Sequence, residues 1–537
     1  MTTEGVICGS CGAENSQSAK FCIECGADMG GAVCNACGTV NSPATKFCIE
    51  CGLPIAVAPP AAEADALPPA PAAAPSAPLW AAFTGGRTID DATLRTAAIA
   101  LVIFTLAFSG YFLSTRFHPD GTGVRWLDPP PRCCMFYADL ANALNHGTLD
   151  LTEVGVAPNH PDLFTDVDGE VFLPYQPMPG VLLMPVVAIW GTGHTELTFS
   201  MLLGAVNVVL FWYILRLLNI SRQTKLLLVP FFAFGTAHFY SATTGSLWFY
   251  NHVTAVFFVL LAIVFLLRKD SPILPALCLG AAALSRQPTV LAVPAFLYFM
   301  IEQRNPGVFA RLDVFGALRS VPEQARVALR KLIEDRRTLA SLAVFLAVLI
   351  PFGIISLWYN EVRFGSLFDT GLDDIYEKYE GYGYTQYLAA GGTRFAEFDF
   401  RNIPIHLYTI FLQPPIYAVN GDPPHAVFRP SEFGMSVLLT SSPLLFGAFV
   451  RRSDALKRAC WIGILLVSIP TLMYYSAGWV QFGYRYLMDY LPFLMILTAF
   501  GFDDHQSPTA FRVKVALVVL SIAIGFWGRY WATRLVW

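Results

Sequence analysis

RFHPDGTGVRWLDPPPRCCMFYADLANALNHGTLDLTEVGVAPNHPDLFTDVDGEVFLPYQ, residues 116–176, is the stretch whose reading decides how this chain folds. An apolar run at 96–113 ends just before it, and the next run long enough to cross a membrane starts only at 196. Between them lie nine acidic residues against three arginines, and a proline run from Pro129 to Pro131. Most connections are a few residues long, and loops beyond roughly 12–15 residues are commonly functional. The stretch therefore reads as a folded loop outside the membrane, with the apolar remainder as its scaffold.

Composition supports a membrane scaffold. The chain has 537 residues, of which 55% are hydrophobic and 14% charged, against roughly 25% charged in soluble domains. A net charge of −4 excludes nucleic acid as a bulk electrostatic partner, which needs a basic surface. Apolar runs recur near 96–113, 196–217, 225–244, 249–267, 273–301 (two short spans broken at SRQP), 339–358, 433–450, 460–477, 484–500 and 513–531. With about 20 residues per crossing, the expected fold is an all-α polytopic membrane protein of about 11 transmembrane helices with large extracytoplasmic loops.

Lys and Arg collect on the cytosolic side of membrane proteins. The clusters Arg216/Arg222/Lys225, Arg268/Lys269, eight residues between Glu302 and Arg337, and Arg451/Arg452/Lys457/Arg458 fall on one side only if PGVLLMPVVAIWG, 179–191, does not cross. Thirteen residues with Pro185 inside read as an interfacial helix on the outer face. The N-terminus is then cytosolic and the acidic loop outside. A second outer excursion, Tyr359 to Glu432, carries ten acids against five basic residues.

The first 53 residues contain a duplicated unit, ICGSCGAENSQSAKFCIECG and VCNACGTVNSPATKFCIECG, offset by 26 residues. Each supplies two Cys-x2-Cys pairs: Cys8, Cys11, Cys22 and Cys25, then Cys34, Cys37, Cys48 and Cys51. Two knuckles give the four thiolates of a closed tetrahedral zinc site, whose role is structural because no coordination position is open. The unit resembles double zinc ribbons of the short kind, so a small β-type module with two structural zinc ions is expected, together with a cytosolic protein partner for it. Residues 54–94 follow as a linker, rich in Ala and Pro as far as Pro78, and 95–537 form the membrane domain. For Cys133 and Cys134, two free or separately paired thiols are preferred over a strained vicinal disulfide.

Three arginines break the positive-inside pattern: Arg286 in LSRQP, Arg363 in RFGSLFDTG and Arg485 in FGYRYLMDYLP. Ionisable groups near hydrocarbon are costly and are functional candidates by default. Arg matches phosphate bidentately, so a lipid phosphate is the expected ligand of all three. Asp489 stands four residues after Arg485, at helical spacing for orienting it.

These residues carry a resemblance. One span, a large acidic outer loop, a short outer helix after YQPMPG, then the motifs GAAALSRQ, RFGSLFDTG and FGYRYLMDYLP, in that order, resemble GT-C class membrane glycosyltransferases. The branch is that of protein O-mannosyltransferases and the lipid A aminoarabinose transferase. The resemblance implies transfer of a sugar from a polyprenyl-phosphate-linked donor to an acceptor hydroxyl on the extracytoplasmic face of the plasma (inner) membrane. The resemblance leaves the acceptor class open among glycan, lipid and protein. It also implies one carboxylate base early in the first outer loop: Asp128 is the first candidate and Asp120 the second. A divalent cation at the active site is not readable. Asp166 and Asp168 read as turn residues. Two other classes compete. A flippase or transporter of lipid-linked sugar would show two related halves, and beyond the ribbons there is no internal repeat. A zinc-ribbon membrane scaffold accounts for residues 1–53 but not for the acidic loops.

Overall fold

A computed structural model of the chain describes residues 90–116, 134–269 (except 159, 161 and 194), 271–309, 330, 333–371, 398–420 and 425–534, with short pieces of the first fifty residues: 6–7, 14–15, 22–24, 32–33, 39–41 and 50. The chain divides into two compact units, Met1–Thr88 and Ile89–Trp537.

In the first unit, β1 (Val6–Ile7) pairs antiparallel with β2 (Glu14–Asn15), and β3 (Ala32–Val33) with β4 (Val40–Asn41). Val6 faces Asn15 and Ala32 faces Asn41, so the second hairpin repeats the first at the sequence offset. Each hairpin brackets the first Cys-x2-Cys pair of its unit. Cys22 is buried; the other seven ligand candidates lie outside the described residues.

The second unit is helical. Six helices are long and apolar enough to cross a membrane: α1 (Asp91–Ser114), α4 (Thr195–Leu217), α7 (Leu247–Arg268), α10 (Arg336–Phe364), α13 (Ala455–Met473) and α15 (Pro508–Arg534). The pair α5 (Arg222–Phe234) and α6 (Ala237–Thr244), bent by 43°, is apolar enough to make a seventh if the two helices form one span. Two short helices, α2 (Phe136–Asn145) and α3 (Met178–Trp190), lie between α1 and α4. At 13 residues with Pro185 inside, α3 is too short to cross.

The eleven crossings expected from hydropathy are not matched by eleven long helices, and proline explains the difference. The run 273–301 breaks into α8 (Ile273–Ala283), a 3-10 turn Gln287–Ala292 and α9 (Val293–Arg304), with Pro288 and Pro294 each at the start of a piece. The run 433–450 becomes a four-residue helix, α12 (Val437–Thr440), and a 3-10 segment Ser442–Phe449 begun by Pro443. The run 484–500 becomes a 3-10 segment Arg485–Asp489 and α14 (Leu491–Asp504) with Pro492. Proline lacks the amide and biases its predecessor away from helix, so apolar length alone overstates continuous helix here. One further short helix, α11 (Ile403–Phe411), lies in the second excursion.

Burial orders these helices. α7 is central, with 72% of its apolar window buried, whereas α1 and α10 bury 11% each. Their outward residues, such as Leu101, Leu106, Ile350 and Ile354, are 60% exposed or more, an apolar surface suited to lipid. Close approach is set locally: a Cβ at Gly525 of α15 would stand 2.2 Å from the Phe234 carbonyl oxygen of α5. A buried polar chain ties α1, α4, α6 and α7. Asn207 Nδ2 donates to His238 Nε2 (3.2 Å) and to the Val253 carbonyl (3.0 Å). His238 Nδ1 then carries the hydrogen and meets the Tyr111 hydroxyl (3.4 Å), which donates to the Ala233 carbonyl (3.0 Å).

The basic clusters gather at one end of this unit. Arg216 reaches Thr96. Asp503 accepts from Ser221 and Thr224 at the start of α5. Asp504 holds the amides of Arg451 and Arg452. Arg304 donates to the Arg337 carbonyl (2.9 Å), and Asn305 to Asp335 (2.9 Å). These contacts join basic segments far apart in the chain, 216 with 96, 221–224 with 503, 451–452 with 504, and 304–305 with 335–337.

Candidate functional site

At the opposite end from the basic clusters, two interrupted segments meet. After α8 the backbone turns extended at Arg286 (φ −146°, ψ 106°). The second segment, Tyr474–Tyr490, is a loop bent at Gly478 (φ 104°) and Gly483 (φ 73°), where positive φ favours glycine. Gln481, fully buried, braces it: Nε2 donates to the carbonyls of Ala477 (2.7 Å) and Phe433 (3.0 Å), and Oε1 accepts from the Arg485 amide (3.0 Å).

Arg286 crosses to this segment. Its Nε and Nη2 donate to Oδ1 and Oδ2 of Asp489 at 3.1 and 2.9 Å, a bidentate pair with a fully buried carboxylate. His252, in the second turn of α7, donates from Nδ1 to the same Oδ1 at 2.9 Å. Arg485 does not pair with Asp489, contrary to the helical-spacing expectation. The segment is a 3-10 helix, in which residues three apart eclipse and residues four apart diverge. Arg485 donates to the Trp479 carbonyl (3.3 Å), and its guanidinium carbon lies 5.2 Å from the Tyr486 ring and 5.7 Å from the Phe249 ring. Arg286 lies 5.7 Å from the same Tyr486 ring. Two arginines thus approach one tyrosine. Asp489 neutralises one of them, and no carboxylate pairs with Arg485 among the described residues. Arg485 therefore leaves one positive charge beside Tyr486 without a described carboxylate to balance it.

Arg363 has its own set of partners. It is 3% exposed, donates to the carbonyls of Tyr359 (2.8 Å) and Leu173 and to Asn360 Oδ1 (3.0 Å), and lies 3.6 Å from the Tyr359 ring. Those bonds fasten the end of α10 to the segment leading into α3. Asp120 and Asp128 lie outside the described residues.

Other loop acids have structural partners. Asp150 accepts from the Thr152 amide (2.9 Å), the Thr152 hydroxyl and the Val171 amide (2.8 Å). Burial opposes its charge, but those bonds hold its carboxyl below the usual range. Asp166 closes the turn between β5 (Phe164–Thr165) and β6 (Val171–Phe172) by accepting from the amides of Asp168 (3.0 Å) and Glu170 (2.8 Å), as a turn residue should. Asp369 accepts from the Gly371 amide (2.8 Å). Glu196, at the start of α4 and fully buried, accepts from the Ala138 amide (2.9 Å) in the first turn of α2. It caps that helix from outside by taking up one of the free amides of its first turn. His406 of α11 donates from Nε2 to the Tyr474 carbonyl (2.7 Å) and accepts at Nδ1 from the Tyr484 hydroxyl (2.8 Å). Burial pulls its pKa down to about 4, so it stays neutral and pins α11 to the loop.

Cys134 is disulfide-bonded, which overturns the reading of a free thiol at this position. The partner lies outside the described residues. His160 Nε2 is 3.4 Å from Cys134 Sγ, and Asp162 stands beside the same ring at 3.3 Å. A sulfur in a disulfide is not a thiolate, so this trio is no metal site in that state.

Three functional candidates escaped the sequence reading: His252, Tyr486 and the Arg286–Asp489 pairing. A histidine inside the apolar run LWFYNHVTAVFFVLLAIVFLLR was the available signal, since ionisable residues within spans are rare and paired.

A family model, Double zinc ribbon, matches residues 8–52. The N-terminal module is a double zinc ribbon, and its cysteines are the donor set for structural zinc. A comparison with curated proteins finds no match.

Proposed function

We propose that the membrane unit transfers a sugar from a polyprenyl-phosphate-linked donor to an acceptor hydroxyl on the extracytoplasmic face, as a glycosyltransferase of the GT-C class. The observation that carries this reading is that the guanidinium carbons of Arg286 and Arg485 both lie within 5.7 Å of the Tyr486 ring. Arginines near a membrane boundary suit a lipid phosphate. In this reading the broken segments 273–304, as two short crossings, 437–449 and 485–504 complete further crossings, giving about eleven. The acceptor oxygen attacks the anomeric carbon while Asp128, or Asp120 in its place, takes the hydroxyl proton. The bond from that carbon to the phosphate oxygen breaks, and the leaving polyprenyl phosphate keeps the electron pair. Arg485 and Arg286 then stabilise its charge. The test is comparative mass spectrometry of lipid-linked sugars and envelope glycans with and without the protein.

The orientation puts the basic end and the N-terminus in the cytosol of a plasma (inner) membrane. A cysteine replacing Gly193, between α3 and α4, should react with an impermeant thiol reagent added from outside. Reaction only from the cytosolic side would invert every later loop.

For the ribbons, the coordination argument gives about two zinc ions per chain. Purified protein should contain that amount by elemental analysis. Removing residues 1–53 should leave sugar transfer by the inserted remainder intact, because a closed zinc site has no place for substrate. Loss of turnover in that truncated protein would assign the ribbons a catalytic or regulatory role.

A further inference from the structure

Asp489 and His252 do no chemistry in the reading above, yet they are among the most buried polar groups in the molecule, each 1% exposed. They come from different elements, and both act on Arg286. The carboxylate receives two parallel bonds from one edge of the guanidinium, which fixes the plane of the group as well as its position. Its Oδ1 is shared with His252 Nδ1, and His252 belongs to α7, the most buried of the spans. The carboxylate therefore cannot follow Arg286 if the chain moves around it. The guanidinium's remaining nitrogen, Nη1, makes no hydrogen bond among the described residues, and the Arg286 side chain is 17% exposed.

We infer that Asp489, held by His252, is a positioning residue that presents the Arg286 Nη1 edge to the phosphate of the lipid-linked donor. The inference rests on the phosphate-site reading of Arg286 and Arg485. Within the site the two arginines differ in what they supply. Arg485 brings net charge; Arg286, already neutralised, brings donors fixed in direction. A buried network in which every member has a partner specifies one geometry, and a site held in place by such partners loses affinity when they are removed.

The test measures binding of a polyprenyl monophosphate to the full-length protein in lipid nanodiscs, comparing equal amounts of folded protein. Asp489→Asn removes the ion pair while keeping size, and affinity should fall roughly 10-fold or more, the scale of a charge-assisted hydrogen bond. Arg286→Ala should lose a similar amount, and the double variant should lose no more than either single one, the signature of two residues acting through one contact. His252→Ala keeps the ion pair but frees the carboxylate, so it should lose less, and His252→Asn, which restores an N–H donor, should recover part of that loss. This second series decides the question if Asp489→Asn does not fold. Unchanged or tighter binding by the Asp489 and His252 variants, with Arg286→Ala weakened, would overturn the positioning role while leaving the phosphate site standing. Failure of the unaltered protein to bind, or normal binding by Arg286→Ala, would overturn both.

Discussion

Asp128→Asn protein should transfer sugar about 100-fold more slowly or worse, with donor binding little changed. Asparagine keeps the size and most hydrogen bonding of aspartate but cannot accept a proton. The acceptor hydroxyl would then attack without a base, and the barrier rises at the chemical step alone. If Asp128 instead only caps the helix that follows the prolines, asparagine serves almost as well, since the two are nearly equivalent caps. Turnover by Asp128→Asn near that of the unaltered protein would therefore remove Asp128 from the mechanism. Asp120→Asn is the next comparison. If neither carboxylate matters while lipid-linked sugar still binds, transport becomes the better description.

The second large effect should appear in binding. Arg485→Ala removes the one guanidinium at the cluster without a carboxylate partner among the described residues, and donor affinity should fall roughly 10- to 100-fold, as for the loss of a charge-assisted contact in a poorly solvated setting. Arg485→Lys keeps the charge but not the planar fork, so it should recover only part of the loss. Arg363→Ala should behave differently. Its bonds run to the Leu173 and Tyr359 carbonyls and to Asn360, so its loss should lower the yield of folded protein before it changes affinity. Binding titrations on detergent-extracted variants separate the two outcomes. Normal donor affinity in Arg485→Ala would remove the charge from the proposed site.

How much of this was legible in the sequence follows from which forces act locally. The ribbons were readable as a module, because a thiolate set for zinc must recur at fixed spacing, and the two hairpins repeat at the 26-residue offset of the sequence. The long helices were readable because lipid demands apolar length. Where proline enters an apolar run, hydropathy gave the right region but not its form: 273–301 and 484–500 are interrupted, and the interruptions hold Arg286 and Arg485. Sequence spacing pointed to the wrong partner for Asp489, because an i, i+4 argument assumes an α-helix and this segment is 3-10. Its true partners, Arg286 and His252, are 203 and 237 residues away, a distance at which no local pattern gives warning. The same holds for Glu196, whose carboxylate caps a helix 58 residues earlier in the chain. Arg363 looked like its two companions in sequence, and only packing separates it from them.

The measurement that bears most directly on the central claim is mass spectrometry of lipid-linked sugars and envelope glycans from cells with the protein, without it, and with Asp128→Asn in its place. If the membrane unit is a glycosyltransferase, cells lacking the protein and cells carrying the variant should both accumulate one polyprenyl-phosphate sugar and lose one glycan modification. Unchanged lipid-linked sugars and unchanged glycans in the cells lacking the protein would contradict it.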